Sequence, residues 1–284
     1  MRDRTADLEM LDETLRICGQ GYYEINGERK NLKLTKDRMQ QIKVYLPDDI
    51  TGLKADISLD SDSMPETACE NMDSFAMARN LDAKHLSNKH VLVLNLANAV
   101  HPGGGVRRGA HAQEEELCRK SSLLLSLESK TAKRYYDYNW SIHTFLGSDA
   151  VMITPEVEII RDEKGHLLAD STVVSVMTCA APNIRNGMEG MTDSAYKAML
   201  YNRITAMLAV AASEGYEVMV LGAFGCGAFR NDANTVAGLF HKAIKGFSYK
   251  GKSSGELFRM ISFAVLDRGW HDYYNFNSFD RYFG

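Results

Sequence analysis

From about residue 90 onward, short apolar runs alternate with amphipathic segments. The apolar runs are 91–96, 173–178, 217–221 and 260–266. Because nearly every position in them is hydrophobic, they predict strands that are buried on both faces of a sheet. The segments with helical spacing are 114–128, 193–214 and 234–245. Residues 151–172, with Lys164-Gly165 near the middle, predict a hairpin inserted before a core strand.

Two of the predicted helices carry clear helical signals. In residues 193–214, apolar side chains recur at i, i+3, i+4 and i+7 from Ile204, and Gly215 follows where a helix commonly ends. Residues 234–245 have the same spacing and are followed by Gly246. The order strand, helix, strand predicts an α/β fold, with a sheet that is flanked by helices.

The first part of the chain has a different pattern. Residues 1–88 predict an N-terminal extension that packs on a core formed by residues 89–284, the two making one structural unit. Within the extension we expect a short helix at 13–18, a turn at Asn26-Gly27 and a helix over 66–82. These elements predict a helical and hairpin cap on the core.

The composition is that of an ordinary globular chain. Of 284 residues, 45% are hydrophobic and 25% are charged, which excludes intrinsic disorder and collagen-like sequence for most of the chain. The longest strongly apolar run, 91–100, contains Asn95 and Asn98 and is too short to span a bilayer. The N-terminus opens with charged residues, so we also expect no secretory signal.

The net charge and the cysteine content restrict the possible substrates and the possible cellular compartment. The net charge is −4 with histidine neutral, whereas proteins that grip long nucleic acid usually show a basic face. A polyanionic substrate is therefore expected to be bound locally, at one unit or one end. The five cysteines form no Cys-x-x-Cys pair, which argues against a disulfide framework and a structural zinc site. We expect a reducing, cytoplasmic compartment, with no membrane association.

The first candidate site follows the apolar run 91–96. The chain passes through Asn98 into the glycine triplet Gly103–Gly105, within what we call the first glycine loop, residues 97–112. Open α/β sheets bind ligands at the carboxyl ends of their strands. Three glycines remove every Cβ there, so that backbone N–H groups can approach a ligand closely, although a triplet can also be no more than a flexible loop.

A run of acids opens the next predicted helix. Glu114, Glu115 and Glu116 suit a helix N-terminus electrostatically, but adjacent helical residues point about 100° apart. Glu116 is spaced for an i, i+4 pair with Lys120, so we expect it to face solvent, which leaves Glu114 or Glu115 for the glycine loop. A general acid needs a raised pKa, which a bound diphosphate and the neighbouring glutamate can supply.

A second glycine loop, residues 222–232, follows the run 217–221 and reads GAFGCGAFRND. Glycine-rich turns between a strand and a helix bind phosphates through their backbone N–H groups. The spacing of the glycines, however, is neither that of a dinucleotide-binding fold nor that of a P-loop. Cys226 has no evident base partner, which argues against a nucleophile. Of the two phenylalanines, Phe229 is the better candidate to stack on a ligand.

The two glycine loops and the glutamate pair together suit a ligand that has a diphosphate and riboses. The chemistry that they suit is acid/base cleavage of a glycosidic bond.

These motifs resemble a known family. GGGVRRGAHAQEE at 103–115 is similar to the poly(ADP-ribose) glycohydrolase signature, a glycine triplet and a spacer before Gln-Glu-Glu. Asn98 and the second glycine loop resemble the macrodomain ligand loops of the bacterial-type branch. Residues 13–32 resemble the N-terminal segment of that branch, so the resemblance covers most of the chain. It implies a macrodomain-like mixed sheet flanked by helices, with an N-terminal helical extension.

The resemblance also implies roles for individual residues. Glu115 would be the catalytic acid/base that protonates the leaving ribose oxygen, and Glu114 would hold the ribose hydroxyl. The resemblance implies neither a metal nor a cofactor. The implied substrate-binding residues are Asn98, Gly103, Gly104, Gly105, Val106, Gln113, Gly225, Cys226, Gly227, Ala228, Phe229 and Asn231.

The implied activity is removal of terminal units from poly(ADP-ribose), with ADP-ribose as product and a monomeric chain. Two alternatives stay open: a hydrolase for single ADP-ribose groups on protein or nucleic acid, and a macrodomain that binds ADP-ribose without cleaving it. Arg107 and Arg108 either contact phosphates of the next ADP-ribose unit or are simply solvated, and we favour the second interpretation.

Overall fold

The computed structural model describes residues 4–57, 63–84, 89–269 and 273–284. The strands are β1 (Tyr22–Ile25), β2 (Glu28–Asn31), β3 (Lys43–Tyr45), β4 (Asp56–Ile57), β5 (Glu66–Glu70), β6 (Leu92–Leu96), β7 (Val151–Arg161), β8 (Leu167–Cys179), β9 (Val218–Leu221), β10 (Phe247–Tyr249), β11 (Lys252–Ser253) and β12 (Met260–Ala264). The helices are α1 (Arg4–Gln20), α2 (Lys36–Met39), α3 (Pro47–Thr51), α4 (Ser74–Asp82), α5 (Gln113–Lys120), α6 (Leu123–Leu127), α7 (Lys133–Ser141), α8 (Asp193–Ser213), α9 (Ala233–Gly246), α10 (Ser254–Leu257) and α11 (Tyr274–Phe283).

A seven-stranded mixed sheet forms the centre of the molecule, in the order β3-β7-β8-β6-β9-β12-β5. The neighbours from β8 to β5 are parallel, whereas β7 is antiparallel to both β8 and β3. The carboxyl ends of β8, β6 and β9 therefore lie side by side at one edge of the sheet. Two small antiparallel sheets, β1-β2 and β11-β10-β4, lie outside it.

Both faces of the central sheet are covered. Along β6, Leu92 and Leu94 belong to one hydrophobic cluster with residues of α8 and α9. Val93 belongs to a second cluster on the opposite face, with residues of α4 and α5. Successive side chains of a strand point to opposite faces, so a strand covered on both sides is apolar at nearly every position. This explains why the four apolar runs were continuous rather than alternating.

Most of the elements predicted from the apolar pattern are confirmed. The four runs correspond to β6, β8, β9 and β12, and the two long helices are α8 and α9. Gly215 follows α8 with a φ of +73°, the left-handed conformation of a helix-ending glycine. The hairpin predicted over 151–172 is present as β7 and β8, but its strands are part of the central sheet rather than an insertion before it.

The helix predicted over 66–82 was wrong in its first half. Residues Glu66–Glu70 form the edge strand β5, which pairs in parallel with β12. The helix α4 starts only after Asp73, whose carboxylate accepts hydrogen bonds from the backbone N–H groups of Phe75 and Ala76. Pairing with a distant strand overrode the local helical pattern, and the N-cap aspartate set the point at which the helix begins.

The helix predicted over 114–128 is broken in two. Ser121 lies between α5 and α6 with extended backbone and forms an isolated bridge with Ile159 of β7. The N–H of the next residue, Ser122, donates to the carbonyl of Glu158. Contact with β7 therefore ends the helix that carries the glutamates after two turns.

The N-terminal region contributes to the central sheet. It supplies both edge strands, β3 and β5, and α1 packs against α5. The predicted boundary at residue 88 thus separates strands of one sheet, and we propose that residues 1–88 and 89–284 act as one structural unit. Within the described ranges, no helix has the length and apolar character needed to cross a membrane.

Candidate active site

The two glycine loops lie next to each other because β6 and β9 are parallel neighbours. The first glycine loop continues from the end of β6 and the second from the end of β9. The first residues of the two loops are close together, since a Cβ built on Gly222 would lie 3.7 Å from Cδ1 of Leu96. Both loops together therefore form the region, at the carboxyl ends of the strands, that the sequence predicted to bind a ligand.

The first glycine loop is shaped by its own hydrogen bonds. The side-chain oxygen of Asn98 accepts from the backbone N–H groups of Val100 and His101, both at 2.9 Å, which forms a tight turn. Gly103 and Gly104 follow with φ values of +64° and +59°. That left-handed conformation suits glycine, because other residues meet steric resistance there.

The carboxylates of Glu114 and Glu115 meet at the middle glycine. A Cβ built on Gly104 would lie 2.5 Å from Oε1 of Glu115 and 2.9 Å from Oε2 of Glu114. No side chain fits at this position without displacing both acids. The sequence left open which of the two glutamates faces the loop, and the structure brings both to it.

Glu114 is almost completely buried, with 2% of its surface exposed. Its carboxylate accepts from the backbone N–H of Asn98 at 2.7 Å and from Nδ2 of Asn95 at 3.3 Å. Burial raises the pKa of Glu114 to about 8, and the negative charge of Glu115 adds to the rise. The hydrogen bonds from Asn98, Asn95 and Gly103 act in the opposite direction. The raised pKa favours the protonated form of Glu114, which can donate a hydrogen bond.

The carboxylate of Glu115 accepts hydrogen bonds from both ends of the segment 105–112, which precedes its helix. One carboxylate oxygen accepts from the N–H of Gly105 at 2.7 Å, and the other accepts from the N–H of Ala112 at 2.8 Å. The second contact is the reach of an N3 glutamate back to the N-cap position, as in a capping box. The carboxylate is thus held beside the glycine triplet by the backbone on two sides.

Gln113 and Val106 support the loop from inside the protein. Oε1 of Gln113 accepts from the N–H of Leu96, and Nε2 donates to the carbonyl of Leu94 and to Oγ of Ser74. These bonds tie the first residue of α5 to the end of β6. The side chain of Val106 is buried. The structure therefore gives both residues a positioning role, and direct contact with a ligand stays a prediction.

Sequence reasoning missed Asn95 and Ser74 as members of the site. Asn95 is fully buried and donates to both Glu114 and Thr178. The sequence did indicate a buried polar contact at Asn95, because a polar residue inside an apolar buried strand needs a partner to offset its desolvation. Ser74 gave no comparable signal, since its contact with Gln113 depends on how α4 packs beside β6.

The second glycine loop is held by a buried amide. Nδ2 of Asn231 donates to the carbonyls of Gly225 and Pro182, both at 2.9 Å. Its Oδ1 accepts from the hydroxyl of Tyr196 at 2.5 Å. A Cβ built on Gly225, which has a φ of +74°, would lie only 2.5 Å from Cβ of Ala181. The side chain of Asn231 is engaged in holding the loop, and its predicted contact with substrate remains a prediction.

The remaining residues of this loop differ in exposure. Gly227 and Ala228 are exposed, and Phe229 is half-buried and packs against the core cluster. The pKa of the Cys226 thiol is raised by burial, and the nearby charge of Asp232 raises it further. A thiol that is not ionised is a weak nucleophile, which supports the prediction that Cys226 has no nucleophilic role.

An ion-pair network joins α1 to α5 behind the first glycine loop. Nε2 of His111 lies 2.8 Å from Oδ2 of Asp7, and Nη2 of Arg119 lies 2.9 Å from Oε1 of Glu116. Lys120 pairs with Glu116 as predicted, at 3.4 Å. Glu116 points away from the glycine triplet, but it faces this network rather than open solvent.

Asp7, His111 and Glu116 are close enough together to hold a metal ion. The guanidinium of Arg119 also lies 3.9 Å from Oδ1 of Asp7, so positive side chains already balance the carboxylates. The donor set therefore suits an ion-pair network better than a cation site.

Comparison with known proteins gives a consistent result. The sequence model of the microbial-type PARG (poly(ADP-ribose) glycohydrolase) catalytic domain matches residues 12–162. The structure of the poly(ADP-ribose) glycohydrolase from Thermomonospora curvata bound to the inhibitor ADP-HPD is 30% identical, with a TM-score of 0.84 over 98% of this chain and 100% of that chain. A second structure of the enzyme from that organism is 29% identical, with a TM-score of 0.85 over the same shares.

A relative from another genus extends this likeness. The poly(ADP-ribose) glycohydrolase from Deinococcus radiodurans in complex with ADP-ribose is 31% identical, with a TM-score of 0.74 over 91% of this chain and 98% of that chain. No curated protein sequence matches significantly. The fold is thus macrodomain-like, as the family resemblance implied. Since the family model matches more than half of the residues, the chain belongs to the microbial-type poly(ADP-ribose) glycohydrolase family.

Proposed function

We infer that this protein is a poly(ADP-ribose) glycohydrolase. It hydrolyses the ribose–ribose O-glycosidic bond at the end of the polymer and releases ADP-ribose. The observation that carries this conclusion is the meeting of the Glu114 and Glu115 carboxylates at Gly104, in a chain of this family. Two acids beside a backbone cradle suit a reaction that must protonate a leaving oxygen and stabilise an oxocarbenium-like transition state.

The two acids have different roles in our proposal. In its protonated form, Glu115 donates a proton to the leaving ribose oxygen as the glycosidic bond breaks. Water then forms a new bond to the ribose carbon, and the Glu115 carboxylate takes up the proton that the water releases. Glu114, whose raised pKa favours the protonated form, donates a hydrogen bond to a hydroxyl of the terminal ribose. The second glycine loop wraps the diphosphate with Gly225–Ala228, and Phe229 packs against the ligand. Asn98 and the glycine triplet contact the terminal ribose and the diphosphate.

A digest of poly(ADP-ribosyl)ated protein tests the activity and the acid together. Free ADP-ribose is quantified by mass spectrometry after incubation with the wild type, Glu115→Gln or Glu114→Gln. Glu115→Gln removes the transferable proton and should lower turnover by about 10²–10⁴-fold, with a modest change in affinity for ADP-ribose. Glu114→Gln preserves an uncharged hydrogen-bonding side chain and should cost less.

The outcomes separate the competing functions. A greater loss of turnover with Glu114→Gln than with Glu115→Gln would assign the role of catalytic acid to Glu114 instead. Release of ADP-ribose from single modified side chains, but not from polymer, would indicate a mono-ADP-ribosyl hydrolase. Tight binding of ADP-ribose without any release would indicate a binding domain.

We also propose that the enzyme works as a monomer in the cytoplasm. All five cysteines are free thiols, which fits a reducing compartment. Size-exclusion chromatography with light scattering tests the first proposal, and fractionation of the source cells tests the second. A stable dimer, or recovery outside the cytoplasmic fraction, would contradict the respective proposal.

A further inference from the structure

In contrast to the interpretation favoured from the sequence, we propose that Arg108 binds a phosphate of the ADP-ribose unit that precedes the terminal one in the polymer. This unit is called the preceding unit below. The inference rests on the proposed function and identifies a feature of the substrate: a second diphosphate next to the bond that is cleaved. Arg108 would then favour polymer over a single ADP-ribose group attached to a protein side chain.

The two arginines of the first glycine loop have different surroundings, although they are neighbours in one short 3-10 helix, Val106–Arg108. Arg107 forms a bidentate pair with Glu128, with Nε and Nη2 at 2.8 and 2.7 Å from the two carboxylate oxygens. Arg108 is exposed, and within the described ranges its guanidinium forms no ion pair. The charge of Arg107 is thus satisfied by the protein, whereas that of Arg108 is available to a ligand.

The guanidinium of Arg108 and the carboxylate of Glu115 both lie near Gly105. A Cβ built on Gly105 would be 3.8 Å from Nη2 of Arg108 and 3.5 Å from Oε1 of Glu115. Both groups therefore lie within 4 Å of one point at the end of the glycine triplet. An anion held by Arg108 would be next to the position at which Glu115 protonates the leaving oxygen.

The backbone around Arg108 is well fixed. Its own N–H donates to the carbonyl of Gly105 at 2.8 Å, and the N–H of Gly109 donates to the carbonyl of Val106. Val106 is buried, and Gly109 has a φ of +67°. The arginine thus projects from a fixed turn, and only its side chain has to be ordered when an anion binds.

The chemistry of the substrate provides such an anion. The leaving oxygen belongs to a ribose of the preceding unit, and that unit carries a diphosphate of its own. A single ADP-ribose group on a protein side chain has no phosphate on the leaving side. Arginine presents a planar fork of donors that matches a phosphate, with shorter and stronger bonds than those between neutral groups.

Paired kinetics test the proposal, with Arg107→Ala as the matched control. Both variants lose one positive charge from the same helical turn, but only Arg108→Ala should lose a contact with substrate. With a short poly(ADP-ribose) oligomer, we expect kcat/KM to fall about tenfold for Arg108→Ala, mainly through KM. We expect little change for Arg107→Ala, and for both variants the Kd of free ADP-ribose should stay near that of the wild type.

Salt dependence and a conservative variant sharpen the assignment. If Arg108 neutralises a phosphate, Arg108→Ala should weaken the dependence of KM on salt concentration more than Arg107→Ala does. Arg108→Lys keeps the charge but loses the fork, and it should recover part of the lost kcat/KM.

Two results would overturn the proposal. Equal losses for the Arg107 and Arg108 variants would mean that only the overall charge matters. A parallel rise in the Kd of free ADP-ribose for Arg108→Ala would mean that the arginine contacts the diphosphate of the terminal unit.

Binding in an inactive background separates this proposal from the function on which it rests. Glu115→Gln and Glu115→Gln/Arg108→Ala are compared for their affinity for the oligomer and for ADP-ribose by calorimetry. If the wild type releases no ADP-ribose, the proposed activity fails. Weaker oligomer binding by the double variant, with unchanged ADP-ribose binding, would still support the role of Arg108. Identical oligomer binding by the two proteins would contradict it, whatever the activity of the wild type.

Discussion

The two glycine loops lie at the same edge of the sheet, but the protein holds them in different ways. The first is braced by the carboxylates of Glu114 and Glu115, which come from the helix that follows it. The second is braced by the neutral amide of Asn231 and by Phe224, which is buried in the core and packs on Phe240. Ionisable groups beside a loop support proton transfer, whereas neutral groups only support its shape. One strand order thus brings together a loop held by ionisable groups and a loop held by neutral ones.

Gly104→Val should produce the largest effect of the predictions that follow. The new side chain would collide with both carboxylates, and a β-branched residue at a φ of +59° is strained. We expect ADP-ribose binding and hydrolysis to be abolished and the Tm to fall. Calorimetry and thermal unfolding measure the two effects. Unchanged affinity would refute the role of the first glycine loop.

Gly227→Ala is the matched substitution in the second glycine loop. In the part of the chain that the structure describes, a Cβ on Gly227 would meet nothing within 4 Å, so the Tm should stay unchanged. A loss of ADP-ribose affinity at constant Tm would support the proposed approach of this loop to the diphosphate. Unchanged affinity would indicate that the ligand does not come close to Gly227.

Asn231→Ala should have the next largest effect, because it removes three side-chain hydrogen bonds from the second glycine loop. Leaving buried carbonyls without a partner costs about 1–3 kcal/mol of unfolding free energy. We expect weaker binding of ADP-ribose with little change in kcat at saturation, since no catalytic acid is moved. Asn231→Asp has the same shape but loses the two donors, so it should resemble Asn231→Ala. A large loss of kcat in either variant would contradict a purely supporting role.

Glu114 should make stability depend on pH in a characteristic direction. Its pKa is raised in the folded protein from 4.5 to about 8, so the folded state binds more protons than the unfolded state between those values. The unfolding free energy should therefore decrease as pH rises across this interval and level off above it. Glu114→Gln should remove this part of the slope. Urea unfolding of both proteins at several pH values measures the difference, and parallel curves would show that the pKa of Glu114 is not raised.

Cys226→Ser should have the smallest effect. Burial raises the pKa of the thiol, and its sulfur lies 3.7 Å from the carbonyl oxygen of Phe224. A hydroxyl has a similar shape and can make the same contact, so most of the activity should remain. The rate of ADP-ribose release checks this expectation. An inactive variant that still binds ADP-ribose would require a nucleophilic role to be reconsidered.

Sequence reasoning was most successful where the determinants are local. The periodicity of α8 and the glycine that follows it lie within one stretch of chain, and both were confirmed. The helix expected over 66–82 was wrong because β5 depends on pairing with β12, which lies about 190 residues away. The break between α5 and α6 likewise depends on contacts of Ser121 and Ser122 with β7. Neither partner can be read from the local pattern.

The sequence by itself determined the α/β class, the two glycine loops and the presence of paired acids. These features follow from residue type and spacing, because hydrophobic periodicity and missing Cβ atoms act locally. Only the tertiary structure decided that both glutamates reach Gly104 and that Asn231 holds its loop. It also decided that, among the described residues, Arg107 forms an ion pair while Arg108 does not. The physical reason is that hydrogen bonds, ion pairs and desolvation depend on distances between groups that only the packing of distant segments brings together.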